Sequence, residues 1–224
     1  FTFQITVDPF ATQDFIALPN SDNPTISMVP GDPVNWHAVL PTLRRPSEEF
    51  RLSIKADDCW GNPSDRLTGR IKIKANMQVV GLPDLVDLTF GDFGNVIEGL
   101  SVDTPGLLEI TILSESDQVI AKANPLVIRA CDVAHFWSDM HAQSGETIGV
   151  GTAQEYFDFA RNKAFLDIAG HQGNDFQITD NFWQHLNELT AHYNEDNRFM
   201  TLPGYEWSGN TGLGGDHNVW YRTE

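Results

Sequence analysis

The feature that most constrains this sequence is a change of hydrophobic period near residue 130. Upstream of it, apolar residues recur at every second position. Phe50, Leu52 and Ile54 interleave with Arg51, Ser53 and Lys55, and Ile71 and Ile73 with Arg70, Lys72 and Lys74. Leu108, Ile110 and Ile112 interleave with Leu107, Glu109 and Thr111. Successive side chains of a strand point to opposite faces, so this period marks strands buried on one face. Pro30-Gly31-Asp32-Pro33, Gly61-Asn62-Pro63 and Pro105-Gly106 separate the runs with turn formers. Short strands at such spacing predict an all-β sandwich over residues 1–130.

Downstream, residues 131–224 follow another rhythm. Ala134 to Met140 is strand-like. Thr152 and Glu155 form a capping box, and Tyr156, Phe157, Ala160 and Ala164 behind them make a helical stripe. Phe165 to Gly170 is short and apolar, as in a buried parallel strand. A second helix opens at Thr179 or Asp180, with Phe182, Trp183, Leu186, Leu189 and Tyr193 on one side, and Arg198 to Leu202 is again strand-like. This order predicts βα units of a parallel sheet or barrel.

The net charge of −17 argues against a nucleic-acid partner, whose phosphates are met by Lys and Arg. No apolar run approaches the roughly 20 residues a membrane helix needs. The expectation is a soluble protein, cytoplasmic or periplasmic. Cys59 and Cys131 make no metal-binding pair; they either bond to each other or stay as buried thiols. His37 reads as structural, and Asp57-Asp58 as charged turn residues rather than a calcium loop. The run Trp220 to Glu224 has no capping element and reads as the interior of a longer polypeptide.

Potential ligands fall at matching places. His141, His171 and Glu206 each follow a strand-like run, spaced by roughly 30 residues, the length of one βα unit. In parallel α/β folds these strand ends share one rim, where sites are built. Imidazole and carboxylate are the usual ligands of catalytic zinc, manganese and iron. His217 is a further candidate, as ligand or proton carrier. Asp139, two residues before His141, points the same way and suits a ligand, an orienting group or a proton shuttle. Asp175 is weaker. His185 and His192 read as surface histidines, and His135 belongs to the opposite rim. No G-x-S-x-G elbow is present, and Gly212-Leu213-Gly214-Gly215 lacks the Lys of a phosphate loop.

The stretch Asp139-Met140-His141-Ala142-Gln143-Ser144 resembles the Asp-Leu-His-x-His-Thr opening motif of the polymerase-and-histidinol-phosphatase (PHP) superfamily. More closely, Trp137 to Tyr221 resembles the family called domain of unknown function 3604, in the blocks Gly170–Phe176 and Pro203–Asn218. The resemblance implies a mixed architecture, with the sandwich followed by the first βα units of a PHP-like (βα)7 barrel. It implies two or more divalent metal ions (Zn, Mn or Fe) on His141, His171, Glu206 and His217, with Glu206 bridging two of them. It also implies hydrolysis of phosphoesters of a small-molecule substrate by a metal-activated water. The rest of the barrel would come from a further C-terminal segment or a second chain. Two departures stand out: Gln143 replaces the motif's second histidine, and Ala169-Gly170-His171 replaces a Thr-Asp-His. The same metal water serves amide, lactone or sulfate-ester hydrolysis, and a degenerate, non-catalytic binding protein is the reading that Gln143 favours.

Overall fold

The single alternation seen in the sequence becomes short strands in the computed structural model, which describes residues 2–209 and 214–222. The first twelve strands are β1 (Thr6–Val7), β2 (Ile16–Ala17), β3 (Asn35–Val39), β4 (Leu43–Arg44), β5 (Phe50–Asp57) and β6 (Gly69–Ala75). They continue with β7 (Leu85–Leu88), β8 (Gly94–Leu100), β9 (Gly106–Leu108), β10 (Ile110–Leu113), β11 (Val119–Lys122) and β12 (Leu126–Ile128). They pair as a β1–β2 ribbon and three small sheets ordered β3-β5-β8, β11-β10-β6-β7 and β4-β12-β9. One hydrophobic core draws on all three sheets, with Leu52 and Ile54 of β5, Ile71 and Ile73 of β6, and Leu108, Ile110 and Ile112 buried together. These are the alternating positions, because period two sends them all to one face.

The remaining chain forms β13 (Ser138–Ala142), α1 (Ala153–Asn162), β14 (Ile168–His171), α2 (Asp180–Tyr193) and β15 (Met200–Thr201). Both helices start where the sequence says. The Thr152 hydroxyl accepts from the Glu155 N–H (3.1 Å) while the Glu155 carboxylate accepts from the Thr152 N–H (2.7 Å). The Thr179 hydroxyl accepts from the Phe182 N–H (3.2 Å). Phe157 and Ala160 of α1 and Leu186, Leu189 and Tyr193 of α2 close a second core with Ala169 and Phe199. The strands β13, β14 and β15 pair in that order, in parallel. The middle strand starts later than expected, because Phe165 lies in the left-handed region (φ 57°) and breaks the extended run.

The expected mixed architecture, a sandwich leading into the first units of a (βα)7 barrel, is overturned. The described residues are mostly strands in several small sheets, with two α-helices of 10 and 14 residues. The parallel sheet stops at three strands. After Pro203 the chain enters β16 (Gly204–Trp207), which bridges Asn174 in parallel at Glu206, and β16 pairs antiparallel with β17 (His217–Trp220) as a ribbon. No helix follows β15 among the described residues. Residues 210–213 of the glycine-rich stretch, and Thr223 and Glu224, lie outside the described residues.

Several polar groups tie the parts together. The Arg51 guanidinium donates to the carbonyls of Arg198 (2.9 Å), Leu166 (2.8 Å) and Phe165 (3.3 Å) and to the Asp167 carboxylate (2.8 Å). His37 pairs with Asp57 (3.0 Å), and the His135 ring with the Thr42 hydroxyl (2.9 Å). Cys59 and Cys131 are free, and neither is buried. No helix among the described residues is long and apolar enough to cross a membrane.

Asp58 organises the turn after β5. Its buried carboxylate accepts from the N–H groups of Gly31 (3.0 Å), Trp60 (2.8 Å) and Asn62 (2.9 Å). Burial pushes its pKa up, but these donors and the Asn62 amide outweigh it and hold the group at about 2, against an ordinary 3.8. A carboxyl depressed by folding stabilises above its unfolded pKa, and that contribution is lost as pH falls through the folded one. Asp58→Asn is therefore expected to flatten the loss of stability between about pH 4 and about pH 2, measured by urea unfolding at each pH. Parallel curves for the two proteins would remove Asp58 from this role.

Candidate functional site

The end of β13, the loop after β14 and the strand β16 meet at one place. The β16 strand is stitched to that loop: the Glu206 N–H donates to the Gly173 carbonyl and the Asp175 N–H to the Glu206 carbonyl, both at 2.9 Å. This pairing turns the Glu206 side chain towards β13, where His141 Nε2 lies 3.3 Å from Glu206 Oε1. Glu206 is buried while the His141 side chain is about half exposed, so the pair opens to solvent from the histidine side. The Asp139 carboxylate accepts from the His141 N–H (3.2 Å) and steadies the backbone that presents the ring.

The other carboxylate oxygen is held from behind. Glu206 Oε2 accepts from Gln143 Nε2 (2.9 Å) and from Asn174 Nδ2 (2.9 Å). The same Asn174 amide donates to Ser208 Oγ (3.1 Å), and its carbonyl oxygen accepts from Gln143 Nε2 (3.1 Å). Gln143 follows the last residue of β13, after a register shift between Asp139 and Ala142, and reaches Glu206 and Asn174 from there. The site-forming roles of Gln143 and Asn174 go beyond what the sequence reading assigned. In the sequence Gln143 is marked as standing at the motif's second histidine, whereas Asn174 is marked only by polarity in a Gly-Asn-Asp loop, and neither signal names Glu206 as the partner.

His171 makes other contacts. It is buried, with Nδ1 accepting from the Gly173 N–H (3.2 Å) and Nε2 beside Ser144 Oγ (2.8 Å). Since Nδ1 accepts, the ring proton sits on Nε2 and donates to the serine. Burial, opposed by the charge of Glu146, pushes its pKa down to about 4, so the ring is neutral near pH 7. Edge-on contacts with Tyr156 and Phe182 fix its plane. Both nitrogens are thus engaged within the protein. His217 pairs across the ribbon with Trp207 and stacks on it (5.5 Å, 8°), whereas Glu206 pairs with Asn218. Residues paired across a ladder share a face, so His217 faces away from Glu206. Asp175 accepts from the Ser208 N–H (3.3 Å) and shapes the loop. His185 and His192 are exposed on α2.

The donor pair fits a divalent cation. Two ligands about 2.1 Å from one ion, at roughly 90–110° to each other, lie about 3–3.5 Å apart, and the observed 3.3 Å falls in that range. Among the described residues, His141 is the ion-pair partner of Glu206, and a buried carboxylate is costly without a countercharge. The structure brings His141 and Glu206 together, sets Asp139 beside them, and directs His171 and His217 to other contacts. No three His, Cys, Asp or Glu side chains converge on one point among the described residues.

Comparison with known proteins agrees on where this chain has relatives. Residues 114–224 match a family model described as protein of unknown function (DUF3604). The match begins upstream of the change in period and runs through the site. An uncharacterized protein of Chlamydia pneumoniae is 22% identical over 183 residues, which cover 80% of this chain and 29% of that protein. The chain thus spans less than a third of the length of the curated relative it matches.

Proposed function

We propose that this chain carries the ligand core of a metal-dependent hydrolase of the PHP type, acting on phosphoesters of small molecules, with His141 and Glu206 as ligands. The observation that carries the reading is the 3.3 Å pair of a half-exposed imidazole and a buried carboxylate. A divalent cation held there would supply Lewis acidity and a water activated near neutral pH. His141 offers its Nε2 on the solvent side, and the backbone ladder between Gly173, Asp175 and Glu206 fixes the carboxylate below it. Asp139 holds the His141 backbone, and its carboxylate is the acid–base group we assign to the proton. His171, bonded to Ser144 and to the Gly173 N–H, steadies the residue whose carbonyl accepts from the Glu206 N–H. The phosphoester class rests on the likeness of Asp139–Ser144 to the superfamily's opening motif.

A non-catalytic binding role has one observation in its favour, the Gln143 amide on the Glu206 carboxylate. Elemental mass spectrometry of the purified protein beside Glu206→Ala tests the main reading. Bound zinc, manganese or iron should fall by about tenfold or more in the variant, as expected when a direct ligand is removed. Equal metal content in the two proteins would sink the assignment. Metal that binds without turnover of phosphoester, amide, lactone or sulfate-ester substrates would select the binding role.

A further inference from the structure

The two oxygens of Glu206 are not equivalent, and the difference limits what the site can hold. Oε1 faces His141 Nε2 at 3.3 Å. Oε2 receives two amide N–H donors, from Gln143 and Asn174, each at 2.9 Å. The orientation of these amides is set by their other partners. Gln143 Oε1 accepts from the Thr147 hydroxyl, and Gln143 Nε2 also donates to Asn174 Oδ1. Turning the Gln143 amide over would set its oxygen against Glu206 Oε2 and Asn174 Oδ1, two acceptor–acceptor contacts in a buried place. Turning Asn174 over would set its oxygen against Glu206 Oε2 and its NH2 against the Gln143 NH2. The network has one self-consistent state, and in it the positive ends of two amide dipoles point at Oε2.

We infer that Gln143 and Asn174 are positioning residues that make this a single-cation site: they reserve Oε2, so Glu206 binds through Oε1 alone and does not bridge a second ion. The inference rests on a cation binding at His141 and Glu206. A cation approaching Oε2 would have to displace two N–H donors, whereas one at Oε1 meets His141, the ion-pair partner of Glu206 among the described residues. The amides also hold the carboxylate plane, so the geometry of the His141–Glu206 pair exists before the ion arrives.

The test loads the full-length protein with manganese(II) as sole metal and reads metal content and electron paramagnetic resonance. The expected result is a single ion that Glu206→Ala removes, with an uncoupled manganese(II) spectrum. In Gln143→Ala, checked by circular dichroism to be folded, the manganese dissociation constant should rise about 10- to 100-fold, the usual effect of removing a group that orients a ligand. An exchange-coupled pair of ions abolished by Glu206→Ala would overturn the single-cation inference and leave the hydrolase reading standing. An unchanged dissociation constant in a folded Gln143→Ala would overturn the positioning role. No ion sensitive to Glu206→Ala would overturn the hydrolase reading itself, and the inference with it.

Discussion

Arg51→Ala is expected to destabilise the protein by about 2–4 kcal/mol in urea unfolding, among the largest losses open to a single polar side chain here. One guanidinium serves four acceptors, the carbonyls of Phe165, Leu166 and Arg198 and the carboxylate of Asp167. Breaking a fully buried ion pair costs about 3–5 kcal/mol. The figure is set lower because each side chain of the Arg51–Asp167 pair retains 18% exposure. Removal leaves a largely buried carboxylate and three carbonyls to find other partners. Arg51→Lys should recover less than half of the loss, since a single ammonium cannot reproduce the planar fork that spans these acceptors. A loss under about 1 kcal/mol for Arg51→Ala would mean that water replaces the guanidinium at little cost.

Phe157→Ala should cost about 3–5 kcal/mol, the range for emptying a buried aromatic position. The ring is fully buried, stacks on Tyr193 (5.5 Å) and lies against Tyr156 (5.1 Å). Among the described residues its core has eight buried members against sixteen in the all-β core, so the cavity removes a larger share of what holds the helices down. The loss should therefore appear first as earlier melting of helical circular dichroism, before the β signal. Simultaneous melting with a loss below about 1.5 kcal/mol would show that the helices close over the gap.

What the sequence made legible follows from which interactions are local. Period two placed Leu52, Ile54, Ile73, Ile110 and Ile112 in a core, and the Thr152–Glu155 pair located a helix start to the residue. Both are decided within a few positions of the chain. Sheet partners are not: β5 pairs with β3 on one side and β8 on the other, and nothing in its own alternation distinguishes these neighbours. The same applies to the barrel expectation, where strand and helix periods cannot say that β16 pairs antiparallel with β17. At the site, His141 lies within β13 and Glu206 within β16, and their 3.3 Å pairing comes from the contact of β16 with the loop after β14, not from a barrel rim. Position after a strand could not foresee that His171 spends both nitrogens on Gly173 and Ser144, or that ladder register turns His217 away. Those outcomes depend on side-chain partners distant in sequence.

The stitch between the Gly173–Asp175 loop and β16 has a consequence for how the site comes into being. The same two backbone hydrogen bonds that hold β16 in register also deliver Glu206 and set Asn174 against it. The carboxylate and one arm of its clamp are therefore carried on the same seam, while Gln143 closes on them from the end of β13. A slip of β16 against this loop therefore moves the carboxylate and Asn174 together.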